Sequence, residues 1–293
     1  MKIIPGEIKT AQLHQYLLGA VAPRPICFAS TVNAAGEVNL SPFSFFNVFG
    51  SNPTTLVFSP SRKVRDNTIK HTLENIYETK EVVINVVNYA MVHQMSLSSC
   101  EFAKGVDEFV KAGFTKLPSE KVKAPRVAES PVQMECIVRQ VIETGSEGGA
   151  GNLVICEVLV MHINDAILNE HQQIDPQKID LVARMGGDYY CRASGHAVFS
   201  VHKPNAELGI GIDALPQAIR YSTILTGNHL GMLANATALP QADPAFADDT
   251  CKQIVQYYAA NPDDMEKEFQ RYAAKLLDAG DIQKAWQVLL MLG

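Results

Sequence analysis

One stretch of this 293-residue chain concentrates the groups that could do chemistry. Between Pro23 and Pro60, Ser30, Thr31, Asn33, Asn39, Ser41, Ser44, Asn47 and Ser59 are interleaved with Phe43, Phe45, Phe46 and Phe49. Amides and hydroxyls mixed with aromatic rings suit a wide, flat ligand that needs apolar contact on its faces and hydrogen bonds round its edge. Just downstream, SPSRKVRDNTIKHT brings Arg62, Lys63, Arg65 and Lys70 beside Thr68 and Thr72. Cations and hydroxyls at the start of a helix make a seat for a phosphate. A flavin mononucleotide combines both halves. The alternative is plain structure: 39–49 as a buried aromatic turn and 62–70 as a solvated basic loop.

Signatures of other chemistries are missing. GSEGGAG (145–151) is glycine-rich but lacks the Gly-Lys-Ser/Thr of a phosphate-binding loop and reads as a hairpin loop. GIGID has no third glycine in register. The eight histidines form neither HExxH nor HxH, and the six-residue spacing of His196 and His202 suits no metal, so no metal site is expected. Without a GxSxG elbow, serine hydrolysis has no support. No catalytic triad or carboxylate pair stands out, so no catalytic residue is nominated.

Composition narrows the classes further. With 25 basic against 31 acidic residues the net charge is −6, which argues against nucleic acid as a partner. No apolar run approaches the roughly 20 residues of a membrane span, and MKIIPGEIKT is not followed by a signal-peptide core. The expected address is the cytoplasm, with no membrane partner. None of the six cysteines forms a CxxC, which fits reduced, structural thiols.

The elements that must position these groups are mostly strands. A helix over Thr10–Ala20, capped by Thr10, gives way at Pro23 and Pro25 to extended chain. ICFASTV, VNLSPFS, TLVFS and EVVINVV read as strands, and VQMECIVRQVIET with NLVICEVLVMHI as a long hairpin. Helices are expected over Asn67–Glu78 and near Ala90–Ser98, with a short strand pair in DLVARMGGDYYCRAS. A helix is expected over Ser222–Asn235, and Asp248–Leu292 reads as helical throughout. Asp263 or Asp264 and Asp281 are the expected caps, and Gly280 the expected break. The fold class is therefore mainly β (α+β), an antiparallel barrel with Greek-key connections and a helical extension, divided as 1–203 and 204–293.

RPI…STVN…G…NLSPFSFFN…P, HTLENI, EVVINVV, KAPRVAESPVQMEC, NLVICEVLVMHI and LVARMGGDYY occur in one order over roughly residues 20–200. In these blocks the chain resembles the flavin reductase-like family with the FMN-binding split barrel. The resemblance implies a six-stranded split barrel that forms a homodimer with FMN at or near the subunit interface. It also implies NADH or NADPH as reductant, and free flavin, a partner oxygenase or iron as electron acceptor. Carried over by position, Asn39, Leu40, Ser41, Pro42, Phe43, Ser44, Phe46 and Asn47 border the isoalloxazine edge. Ser30 and Thr31 lie beside the ribityl phosphate, and Ser59, Arg62, Lys70 and Thr72 neighbour the phosphate. Many members have Lys-Asp-Thr where this chain has Lys70–His71–Thr72, so either Thr68 or Thr72 can be the phosphate threonine. Arg184 with Tyr189 or Tyr190, and Arg220, Asn228 and His229 in the extension, are further residues to place. Replacing Asn39 or Ser44 by a bulky apolar residue is expected to weaken FMN retention more than folding. A flavin electron carrier without reductase turnover, or a ligand-free barrel module, would satisfy the same pattern.

Overall fold

β-Branched and aromatic runs with turn residues between them pair here into one antiparallel sheet. The computed structural model describes residues 1–202 and 207–292. In chain order the first part comprises α1 (Thr10–Ala20), β1 (Cys27–Val32), β2 (Val38–Phe43), β3 (Phe46–Ser51), β4 (Thr54–Phe58), α2 (His71–Thr79) and β5 (Glu81–Val86). It continues with α3 (Val92–Leu97), α4 (Glu108–Ala112), β6 (Val132–Glu143), β7 (Asn152–Ile163), α5 (Pro176–Ile179), β8 (Leu181–Arg184) and β9 (Tyr190–Ala193). Seven strands form the main sheet in the order β2-β1-β5-β6-β7-β4-β3, and β8 pairs with β9 separately. The resemblance implied six strands; the seventh follows from β3, a segment in which the residue pattern predicts no strand.

All six residues of β1 are buried. Successive side chains of a strand point to opposite faces, and both faces of β1 are covered. Cys27 and Ala29 join Leu56, Phe58, Ile84 and Met134 in one apolar cluster, to which α2 adds Leu73 and Ile76. Phe28 faces the other way, into Leu40, Met95, Phe109 and Phe114. Cys27, Cys136 and Cys156 are buried within the first cluster, and burial pushes the Cys136 thiol up to about 12. They pack as small apolar side chains.

Local departures from the expected elements have identifiable causes. Lys9, not Thr10, occupies the N-cap of α1, and it makes no side-chain cap bond. The helix expected from Asn67 starts at His71, because residues 63–68 close a turn of their own. In that turn Lys63 N–H donates to Thr68 O (2.9 Å), Asn67 has φ +57°, and the Thr68 hydroxyl donates to Asp66 (2.6 Å). That bond from Thr68, before all else, brings the Asp66 carboxyl down to about 2.

Residues 200–293 form a second compact unit, distinct from 1–199. The 203/204 boundary expected from sequence lies outside the described residues. α6 (Gln217–Arg220), α7 (Gly227–Ala234), α8 (Asp249–Tyr258), α9 (Pro262–Asp278) and α10 (Ile282–Leu290) enclose Leu233, Phe269, Leu277, Trp286 and Leu289. The helix expected from Ser222 starts at Gly227, since the Ser222 hydroxyl takes the N–H groups of Ile224 and Leu225 (both 3.0 Å) in a turn. Asn261, not Asp263 or Asp264, caps α9, with Pro262 at its first position. Asp281 caps α10 as expected, after Gly280 at φ +82°. Among the described residues no helix is long and apolar enough to cross a membrane.

Candidate functional site

The sheet's two edge strands, β2 and β3, are consecutive in sequence and joined by Ser44 and Phe45. An edge strand leaves a row of backbone donors and acceptors without a strand partner. Two cavities of the first unit meet at this corner. One, of about 470 Å³, is lined by Leu13 and Leu17 of α1, Pro42 to Phe45, Ser59, Ser61, Arg62, Lys70 and Arg184. The other, of about 680 Å³, shares Pro42, Phe43, Ser44 and Arg184 and runs on to Tyr89, His93 and Tyr190.

The smaller cavity has an apolar side and a cationic end. Lys70 is half-buried at the N-cap of α2, and burial, then the nearby Lys63, push its ammonium below the usual lysine value. Among the described residues no carboxylate lies within ion-pair distance of it. The first-turn N–H groups of His71 and Thr72 meet no backbone acceptor among those residues. Unpaired cation, helix start and the hydroxyls of Ser59 and Ser61 form a donor set suited to a phosphate.

A glycine-rich loop holds this end in shape. Arg62 N–H donates to Ala150 O (2.9 Å), and Gly149 N–H donates to Arg62 O (3.0 Å). A Cβ on Gly148 would sit 3.0 Å from Lys63 O and 3.1 Å from Val64 O, so a side chain there would push the two backbones apart by a few tenths of an ångström. Gly149, at φ +94°, itself lines the cavity. GSEGGAG is thus a hairpin loop that also braces the basic loop.

The sequence-nominated residues divide into groups. Pro42, Phe43 and Ser44 line both large cavities, and Ser59, Arg62 and Lys70 line the basic one. Arg62 directs Nε and Nη2 to Asn67 (2.7 and 2.8 Å), so much of its guanidinium holds the 62–68 loop. Asn39, Ser41 and Thr72 border a small cavity of about 40 Å³ that also touches Lys70, and Asn39 borders a second one of about 10 Å³. Phe46 packs against the core, and Asn47 is exposed with its amide oxygen taking Val48 N–H. Ser30, Thr31 and Leu40 are fully buried in β1 and β2 and line none of these cavities. Thr31 takes a hydrogen bond from Asn75 of α2 (3.1 Å), and Leu40 N–H donates to Glu108 (3.0 Å). Arg220 and His229 belong to the helical unit, where His229 closes a capping box with Thr226.

Two residues not nominated as site residues from the sequence hold this end of the sheet. Arg24, 5% exposed, donates to the carbonyls of Leu18, Val21 and Met185 and to the Ser44 hydroxyl, tying the end of α1 to β8 and to the edge-strand corner. Burial and the neighbouring Arg184 lower its pKa. Glu108, 4% exposed, accepts from Asn39 Nδ2 (2.9 Å) and Leu40 N–H, while the Thr72 hydroxyl donates to Asn39 Oδ1 (2.6 Å). Asn39 therefore links Glu108 to α2 and is a folding residue first. Asn39→Leu is expected to destabilise the protein by about 1–3 kcal/mol, since it strands a buried acceptor and a buried donor. Chemical denaturation checks this; an unchanged midpoint would show that the network carries no stability.

Residues 19–177 match the flavin reductase like domain. The chain belongs to the flavin reductase-like family. An uncharacterised Aquifex aeolicus protein is 36% identical over 201 residues, covering 69% of this chain and 100% of that protein. Component B of the nitrilotriacetate monooxygenase of Bacillus cereus is similar in structure, with TM-score 0.64 and 26% identity over 69% of this chain and 98% of that one. The 2-nitrobenzoate 2-nitroreductase of Pseudomonas fluorescens gives TM-score 0.61 at 26% identity, over 69% of this chain and 96% of that one. The seven-stranded antiparallel sheet of this flavin reductase-like chain is accordingly a split barrel, with the C-terminal helices added. The family domain ends at residue 177, ahead of the helical unit.

Proposed function

We propose that this chain is an FMN-dependent oxidoreductase that takes hydride equivalents from NADH or NADPH. The observation that supports it is the junction of two cavities at Pro42–Phe43–Ser44, one of them ending in Lys70, Ser59 and Ser61. FMN fits that donor set: its phosphate meets an unpaired cation beside a helix start, and its ring meets Phe43, Phe45 and the corner between β2 and β3. Bound there, FMN supplies the hydride chemistry. The residues bind and orient. Lys70 neutralises the phosphate, Ser44 is held by Arg24 at the ring corner, and Leu13 and Leu17 of α1 shield that end from water.

The bacterial component B supports a reading in which reduced flavin passes to a partner oxygenase. A homodimer is part of the proposal. Val48 and Phe49 on edge strand β3 are 60% and 68% exposed, and Leu17 of α1 is 50% exposed, apolar surface that a second copy can cover. The cytoplasm is the proposed location.

Titration with FMN while following flavin fluorescence tests the reading. Saturable one-to-one binding is expected, with a raised melting temperature and bleaching of the flavin band on anaerobic addition of NADH or NADPH. Binding without bleaching by either nucleotide makes the protein an electron carrier. Absence of binding removes the proposal.

A further inference from the structure

The larger cavity holds a cation that no described residue neutralises. Arg192, at its edge, directs Nε and Nη2 to the two oxygens of Asp180 (2.7 Å each) and lies over the Tyr89 ring at 3.8 Å. Arg24, next to the cavity, is occupied by three carbonyls and Ser44. Arg184 differs. Its guanidinium lies over the Tyr190 ring at 4.7 Å and, among the described residues, makes no ion pair and no side-chain hydrogen bond within the protein. Asp188, the carboxylate at the rim, pairs with neither arginine. The backbone of Arg184 is fixed on both sides: its N–H donates to Arg24 O (2.8 Å), and its carbonyl accepts from Arg24 N–H (3.0 Å). A guanidinium on a fixed backbone, stacked on Tyr190 and without a carboxylate partner among the described residues, is a forked donor suited to an anion.

The rest of the cavity describes what carries that acceptor. Tyr89 and Tyr190 are aromatic walls, Ile26 and Val92 are apolar, and about 680 Å³ is the size of a small-molecule site. We propose that this cavity binds a planar aromatic ring bearing an anionic group, with the anion on Arg184 and the ring between Tyr89 and Tyr190. Its position next to the redox centre rests on the flavin reading, because Pro42, Phe43, Ser44 and Arg184 are common to both cavities. The anion is the carboxylate of a free aromatic acid.

The isosteric pair benzoate and benzamide tests the charge requirement on the full-length protein, as purified and FMN-loaded, by NMR-detected titration. Benzoate is expected to bind at least about tenfold more tightly than benzamide, a factor worth about 1.4 kcal/mol. Arg184→Gln is expected to erase that difference by weakening benzoate about tenfold while leaving benzamide within about twofold; Arg184→Lys, keeping the charge without the fork, restores part of it. Benzamide is the folding control, since a misfolded variant loses both ligands. Equal affinity for the two, or benzoate binding indifferent to Arg184→Gln, overturns the proposal. Benzoate binding that persists in the presence of NADH supports a free acid; displacement by NADH gives the cavity to the nicotinamide nucleotide and overturns the proposal. Should FMN fail to bind while benzoate keeps its dependence on Arg184, the flavin reading falls and this site stands. The reverse pattern does the opposite.

Discussion

Lys70→Glu is expected to raise the dissociation constant for FMN by about a hundredfold or more. Lys70 is half-buried, lines the basic cavity and has no carboxylate partner among the described residues. A unit charge about 4 Å from a phosphate contributes on the order of 4 kcal/mol at the effective dielectric of a protein surface. Reversal both removes that attraction and adds repulsion, and desolvation of the new carboxylate takes back only part. Unliganded stability should change little, because the substitution also relieves repulsion from Lys63. Lys70→Gln should fall between the two. Fluorescence titration of the three proteins at one ionic strength decides the matter; retention within about threefold in the glutamate variant would place the phosphate elsewhere.

Glu135→Ala is expected to cost about 3–5 kcal/mol of folding stability, the range for removing one partner of a buried charged network. Glu135 of β6 is fully buried and accepts from the N–H of Glu120 (2.9 Å) and of Lys121 (2.6 Å) and from His162 Nε2 of β7 (2.7 Å). Arg126 lies 3.9 Å away. Burial pulls its pKa upward, but those two N–H groups and His162 outweigh burial and hold the carboxyl below the ordinary glutamate value. A carboxyl depressed in the folded state contributes stability above its unfolded pKa, roughly 4.3, and loses it as pH falls through the folded value. The gap in unfolding free energy between wild type and variant should therefore be full at neutral pH and shrink below about pH 4. A gap that stays constant down to pH 3 would mean that packing, not the ionised carboxylate, carries the effect.

How much of the molecule is legible in its sequence varies with the reach of each interaction. The limits of α1, the β6–β7 hairpin and the cap of α10 depend on neighbours in sequence, and periodicity or a single capping side chain announces them. Strand β3 is not legible. FNVFGS carries a glycine and an asparagine, shows no buried alternation, and becomes a strand only by pairing with β4 around an irregularity between Val48 and Gly50. The basic loop and the Pro42–Phe43–Ser44 corner are readable from composition. Arg24 and Glu108 are not, because their partners lie as far away as Met185 and Asn39, 161 and 69 residues along the chain. For the same reason Ser30 and Thr31, which look like ligand hydroxyls by residue type alone, lie in a strand covered on both faces.

The chain has one tryptophan, Trp286, and α10 places it at 3% exposure in the core of the helical unit. Indole emission is thus a private optical channel for the helical unit, since its source lies in that unit's core. With FMN bound as proposed, the visible band would report on the barrel, so one unlabelled sample could follow each half by its own signal.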